Sequence, residues 1–107
     1  MCNFNTFKNI AGQIMWPTYS LGTGSMANYG GFLQFQQNMW NHYQGISPGP
    51  SGCAWFTHQV DLWTDQLIGP PPLPPITNTY QLALKNAKIQ FAQEMWLQCA
   101  CPGPVPV

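Results

Sequence analysis

The chain carries no Asp, Glu, Lys or Arg side chain between Lys8 and Asp61, a stretch that covers about half of its 107 residues. The whole sequence contains only three basic and three acidic residues. A free small domain, in contrast, usually has a surface of mixed charges that keeps it soluble. The cores of protein interfaces are poor in charge and rich in aromatic residues and Met. We therefore expect much of the surface to be covered in the working state. The alternative is a monomer with a neutral, amide-rich surface.

The same shortage of charge excludes several classes of protein. Three basic residues form no basic patch, so we predict no binding to nucleic acid. No apolar stretch approaches the roughly 20 residues of a transmembrane helix, so we predict no membrane span. The start of the sequence lacks the basic region and apolar run of a signal peptide, which predicts synthesis in the cytoplasm.

Apolar residues recur at helical spacing in three segments of the first 69 residues. The first predicted helix covers residues 3–15, with Asn3 or Asn5 as its N-cap. The second lies within residues 25–43, with Ser25 as a plausible N-cap and Gly45 as its stop. The third covers residues 57–68, with Thr57 as its cap. The segments 16–25 and 45–54 are predicted loops, and a β-hairpin within 16–24 or 45–56 is the main alternative.

A fourth and longer helix is predicted from Thr79 to about Cys99. One apolar strip along it contains Tyr80, Leu84, Ala87, Phe91 and Met95. A second strip contains Leu82, Ile89, Ala92, Trp96 and Cys99, and the polar residues Gln81, Lys85, Lys88 and Gln93 are predicted to lie mostly outside. With two apolar strips, this helix has one face for its own chain and one for a neighbour.

These patterns predict a mainly α protein, either a small helical bundle or an open helical layer, with long Gly/Pro-rich loops and an extended C-terminal arm. We divide the single domain into a helical and loop region (1–69), a polyproline connector (70–76), the long amphipathic helix (77–100) and a Pro-rich tail (101–107). The connector also contains a P-x-x-P spacing, Pro71 and Pro74, which is typical of ligands of SH3-type domains. A stiff spacer is the interpretation we prefer, because no basic residue lies nearby to fix the orientation of such a ligand.

Four cysteines, Cys2, Cys53, Cys99 and Cys101, allow three interpretations. Without a signal peptide, free or buried thiols that act as small hydrophobic groups are the expected state. Late oxidation in an extracellular particle, for example of Cys53 with Cys99 or Cys101, is the second interpretation. Metal ligation is the third, although no C-x-x-C pair is present.

His58, Asp61 and Asp65 share one face of the third predicted helix, so they form a weak candidate site for a divalent metal. A solvated helix face is the simpler interpretation of the same spacing. No nucleophile motif, phosphate-binding loop or pair of catalytic carboxylates is present, so we predict neither enzymatic activity nor a cofactor.

We therefore predict a structural subunit of a larger assembly that acts through contacts with copies of itself or with a larger structural protein. The absence of a targeting signal and the amide-rich composition favour a virion component, such as a capsid-associated, connector or tail subunit of a bacterial virus. The alternatives are a small metal- or ligand-binding module and a Pro-rich adaptor. The residues predicted to form the interface are Tyr80, Leu84, Phe91, Met95, Trp96, Trp40 and Tyr43.

Overall fold

The computed structural model describes residues 2–68 and 79–107, without the side chains of residues 65–68. Helices make up most of this part of the chain, and it contains no β-strand. The mainly α prediction is therefore confirmed, and the alternative of a β-hairpin within 16–24 or 45–56 is wrong. The predicted polyproline connector, residues 70–76, lies outside the described residues.

Helix α1 spans Phe4–Ile14 and begins as its sequence predicts. The Asn3 side chain is the N-cap, because its Oδ1 accepts a hydrogen bond of 2.9 Å from the Thr6 backbone N–H. Phe7, Ile10 and Ala11 form the buried face of the helix. This face packs α1 against the core, and Lys8 lies outside it and is exposed.

The segment 16–25 is not only a loop. Residues Trp16–Tyr19 form a one-turn helix, α2, and residues Ser25–Ala27 form a 3₁₀ turn. Pro17 is tolerated because the first positions of a helix need no backbone N–H donor. The burial of Tyr19 gives this turn a tertiary anchor that local sequence signals do not reveal.

Helix α3 spans Tyr29–Gln44, and its N-cap is Asn28 rather than the predicted Ser25. The Asn28 Oδ1 accepts a hydrogen bond of 2.8 Å from the Gly30 backbone N–H. Gly31 is required at its position because a Cβ there would overlap the Ser25 carbonyl of the preceding 3₁₀ turn. Gly45 ends the helix in the left-handed conformation, as predicted.

Helix α4 spans Cys53–Ile68 and begins four residues before the predicted start, so Thr57 is not its cap. Trp55 and Phe56 lie in the buried core, and this burial favours helix formation in a segment that the Gly and Pro residues before it marked as loop. The Gly52 backbone N–H donates to the Tyr43 carbonyl at 2.8 Å, which ties the start of α4 to the end of α3.

Helix α5 spans Thr79–Gln98, in close agreement with the predicted long helix. It packs most extensively against α4 and also contacts α1 and α2. The prediction for its polar side is wrong at Lys85, which is buried, while Lys88 is half-buried. Their long aliphatic stems cover apolar neighbours, so a Lys on this helix does not mark a solvated face.

Aromatic rings from four helices meet in the core. The Phe7 ring lies edge-on to the Phe91 ring at 5.0 Å and to the Trp40 ring at 5.1 Å. The Tyr43 ring stacks on the Trp40 ring at 5.1 Å and lies 5.2 Å from the Phe56 ring. Edge-to-face and tilted pairs of this kind each add about 0.5–1.5 kcal/mol beyond the burial of area.

The C-terminal tail, residues 101–107, has no helix and lies back along α5. Gln93 Nε2 donates to the Pro106 carbonyl at 3.0 Å, and Trp96 Nε1 donates to the Gly103 carbonyl at 3.4 Å. Val105 packs against the core. The tail is therefore part of the packed domain.

Candidate functional site

All four cysteines meet at one end of the molecule, where they form the disulfides Cys2–Cys99 and Cys53–Cys101. The expectation of free thiols is therefore wrong, and so is metal ligation by these residues. Cys53–Cys101 is one of the two pairings considered from the sequence, whereas the pairing of Cys2 was not considered. The two bridges join the C-terminal end of α5 to the starts of α1 and α4.

A tight turn after α5 places the two cysteines of the C-A-C motif toward different partners. The Cys101 backbone N–H donates to the Trp96 carbonyl, and the Ala100 N–H donates to the Leu97 carbonyl, both at 3.1 Å. This is the Schellman pattern of a helix C-terminus. Ala100 adopts a φ of 51°, a left-handed conformation that usually favours glycine. The reversal at Ala100 lets Cys99 and Cys101, which are separated by this one residue, pair with cysteines at the starts of two different helices.

The candidate metal residues are only partly described. His58 and Asp61 are exposed on α4, and the side chain of Asp65 lies outside the described residues. Among the side chains that are described, no three His, Cys, Asp or Glu residues are grouped closely enough to hold a metal ion. A metal site that includes Asp65 stays a prediction.

Most of the predicted interface residues are used inside the chain. Four of them are buried in its own core: Leu84, Phe91, Met95 and Trp96. The other three are half-buried and pack against that core: Tyr80, Trp40 and Tyr43. The four buried residues offer little surface to a partner, whereas an interface that uses the three half-buried residues stays a prediction. The large apolar side chains that are exposed are Leu21, Met26, Tyr29, Ile46, Leu62, Leu82, Leu97 and Val107.

A cavity of about 240 Å³ lies between α1 and α3. Its α1 side is formed by Lys8, Asn9, Gly12 and Gln13, and its α3 side by Tyr29, Phe32 and Gln36. The sequence analysis did not select these residues. The sequence signal that could have indicated this cavity is the position of Gln36. It follows Phe32 by four residues and precedes Met39 by three, so this spacing places an amide on the buried face of α3.

Tyr19 is the centre of a second polar cluster, which it forms with Lys88 and Tyr80. The Tyr19 hydroxyl is buried and has no hydrogen-bond partner among the described residues. The Lys88 Nζ lies 5.9 Å from the centre of the Tyr19 ring and 6.0 Å from that of the Trp63 ring. Burial, and secondarily the neighbouring Tyr80, raises the pKa of Tyr19 well above its usual value, and burial lowers the pKa of Lys88. Burial thus disfavours the charged form of each side chain in the folded protein relative to the unfolded chain.

These pKa shifts predict a stability maximum on the alkaline side of neutrality. The folded state holds the Lys88 proton less tightly than the unfolded state, so the free energy of unfolding rises as the pH approaches 10.5. The folded state holds the Tyr19 proton more tightly, so stability falls as the pH rises above 10.0. Urea unfolding followed by far-ultraviolet circular dichroism between neutral and strongly alkaline pH measures both slopes.

Tyr19→Phe is the control for the loss of stability above pH 10.0. The variant should be more stable at neutral pH by about 1 kcal/mol, because it removes a buried hydroxyl that has no partner among the described residues. It should also lose less stability above pH 10 than the parent chain does. An unchanged alkaline slope in Tyr19→Phe would assign that slope to another group.

Comparison of the chain with protein-family models, with curated proteins and with solved structures finds no match. Within the described residues, no helix combines the length and the apolar character required to cross a bilayer.

Proposed function

We propose that this chain is a non-enzymatic structural subunit that acts through protein contacts within a larger assembly exposed to oxidising surroundings, such as the particle of a bacterial virus. The observation that carries the proposal is the distribution of charge. Of the five charged side chains that the structure describes, only Lys8 and Asp61 are exposed. Large apolar side chains are exposed more often than charged ones on the same surface.

The exposed apolar residues support covering by protein rather than solvation. Leu21 is 81% exposed and Leu97 is 58% exposed, and neither has a charged residue next to it in the sequence. A neutral surface offers little charge repulsion between copies, so close association costs little electrostatic energy. Interface cores have this same poverty of charge.

The two disulfides support the proposal that the assembly is exposed to oxidising surroundings. Stable disulfides form outside the reducing cytosol, in secreted proteins and on the surfaces of particles. A subunit of a particle that is oxidised outside the reducing cytosol agrees with the cysteine pairing. The compact, doubly linked domain is suited to a permanent position in a particle.

The test is the mass of the purified, oxidised chain by light scattering over a concentration series. We expect discrete oligomers whose mass falls toward 12.0 kDa in Leu21→Lys or Leu97→Lys. The matched controls Thr23→Lys and Gln98→Lys add the same charge at nearby exposed positions, without removing an apolar side chain. They should keep the mass of the parent chain.

A stable monomer at every concentration, with a cooperative thermal transition, would contradict self-assembly. Equal dissociation in the controls would show that added charge, rather than loss of apolar contact, separates the copies. An oligomeric mass that is the same in all four variants as in the parent chain would place the interface away from both Leu21 and Leu97.

A further inference from the structure

The amide of Gln36 lies at the base of the cavity between α1 and α3. Gln36 is 2% exposed, and its side chain lines the cavity. Its neighbours on α3 behave differently: Gln34 donates to Asn38 and Gln37 donates to Asn41 along the exposed side of the helix. Within the described part of the chain, no hydrogen bond satisfies the Gln36 amide. Among the described side chains, the Tyr19 hydroxyl and not the Gln36 amide is fully buried without a partner, so the Gln36 amide keeps access to the open cavity, where water or a ligand can pair with it.

Two further amides face the same space. Asn9 and Gln13 lie one helical turn apart on α1, opposite Gln36. Each carboxamide offers both hydrogen-bond donors and an acceptor. Three amides around one small cavity therefore suit a ligand that carries several neutral groups able to donate and accept, as hydroxyl groups do.

An aromatic ring at the rim is held ready for stacking. Tyr29 is 53% exposed, yet its ring packs edge-on against Trp16 at 5.2 Å. Trp16 in turn contacts Phe32, which is buried beneath the cavity, at 5.1 Å. A supported aromatic ring presents a flat apolar face beside polar groups at low entropic cost.

The charge at the cavity has one sign. Lys8 is exposed at its edge, and none of the residues that line it is acidic. A carboxylate on the ligand would gain a charge-assisted hydrogen bond from the Lys8 ammonium group. The volume of about 240 Å³ lies below the range typical of pockets for drug-sized molecules, so it suits a single small ring.

We propose that this cavity binds one sugar ring of a saccharide, preferentially a ring that carries a carboxylate. The amides of Asn9, Gln13 and Gln36 pair with its hydroxyl groups. The Tyr29 ring stacks on its C–H face, and Lys8 pairs with its carboxylate. This site is independent of the assembly proposed above, because it is formed by α1 and α3 of a single copy.

Gly12 provides a way to block the cavity without disturbing the fold. It lies inside α1 on the cavity wall, and a Cβ added there meets no atom within 4 Å. Gly12→Met fills the cavity with a flexible apolar side chain. Gly12→Ala is the matched control, since it makes the same change of backbone entropy in the helix but leaves most of the space open.

The probes are glucose and glucuronate, titrated into the isotopically labelled full chain and followed by amide chemical shifts. We expect saturable shifts on α1 and α3, with a Kd on the order of 1 mM for glucuronate and weaker binding of glucose. Gly12→Met and Gln36→Met should weaken both sugars by about tenfold or more, and Gly12→Ala should bind as the parent chain does. Lys8→Gln should remove the preference for glucuronate.

Several results would overturn the proposal. The absence of saturable shifts with either sugar would exclude a saccharide site. Equal affinities in Gly12→Met and the parent chain would place the binding elsewhere. An undiminished preference for glucuronate in Lys8→Gln would remove Lys8 from the site. Each of these results is independent of the oligomeric mass, so failure here and failure of the assembly proposal are distinguished.

Discussion

Removal of either disulfide should cost this chain a large part of its stability. The Cys53–Cys101 bridge spans a sequence separation of 48 residues, and the Cys2–Cys99 bridge spans 97. The chain-entropy model assigns about 4 kcal/mol to the first loop and about 5 kcal/mol to the second, because each bridge restricts the unfolded chain. We expect losses of these sizes for Cys53→Ser/Cys101→Ser and for Cys2→Ser/Cys99→Ser, measured by urea unfolding.

The reduced chain should be largely unfolded at 37 °C. Small domains are stable by only about 5–15 kcal/mol in total, and the two expected losses together lie within that range. Addition of a thiol-free phosphine reductant to the parent chain should therefore abolish most of the helical circular dichroism signal. The variant without any cysteine is the control, because the reductant should leave its signal unchanged.

Thiol counting in the denatured, unreduced protein gives an independent measurement. No reactive thiol is expected, since all four cysteines are paired. Four reactive thiols, together with an unchanged urea midpoint in both double variants, would contradict the pairing. The same result would remove the main support for an oxidising environment.

Helix positions were largely predictable because they depend on local spacing. Asn3 caps α1 and Gly45 ends α3 as expected, and α5 begins at the predicted Thr79. Each of these features rests on one short-range rule, namely a side-chain cap, a left-handed stop or an apolar period. A long helix with a regular apolar period contains several of these local signals, so its position can be predicted even if one of them is weak.

The helix starts that were missed depend on contacts distant in sequence. The early start of α4 follows from the burial of Trp55 and Phe56, and the one-turn α2 is anchored by the burial of Tyr19. Local Gly and Pro signals opposed both elements. Tertiary burial outweighed those signals, as it often does for propensities of this size.

The two candidate sites were harder to predict than the helices. To predict a disulfide, one must know which cysteines lie close together in space. Cys2 and Cys99 are 97 positions apart, and no local sequence pattern indicates that they meet. The assignment of free thiols rested on compartment rather than on geometry. The cavity was missed because its walls are polar residues from two helices that the sequence analysis treated only by their apolar faces. Gln36 carried the one local signal, an amide at a core position.

Phe91→Ala should produce the largest loss among single substitutions in the core. The Phe91 side chain is 0% exposed, and its ring lies edge-on to Phe7 at the junction of α5 and α1. Truncation of a buried Phe typically costs about 3–5 kcal/mol, because it removes apolar burial and leaves a cavity. Leu97→Ala, on the exposed side of the same helix, is the control and should change the free energy of unfolding by less than about 0.5 kcal/mol.

The pair Phe7 and Phe91 also allows the ring contact itself to be measured. A double-mutant cycle of Phe7→Ala and Phe91→Ala should give a coupling energy of about 1 kcal/mol. This value is typical of two aromatic rings in direct edge-to-face contact. Urea unfolding of the four proteins supplies the cycle. A loss below about 1 kcal/mol in Phe91→Ala would mean that α5 turns another face toward α1. In that case Phe91 would be exposed and able to contact a partner. The assembly proposal would then place an interface at the centre of the longest helix.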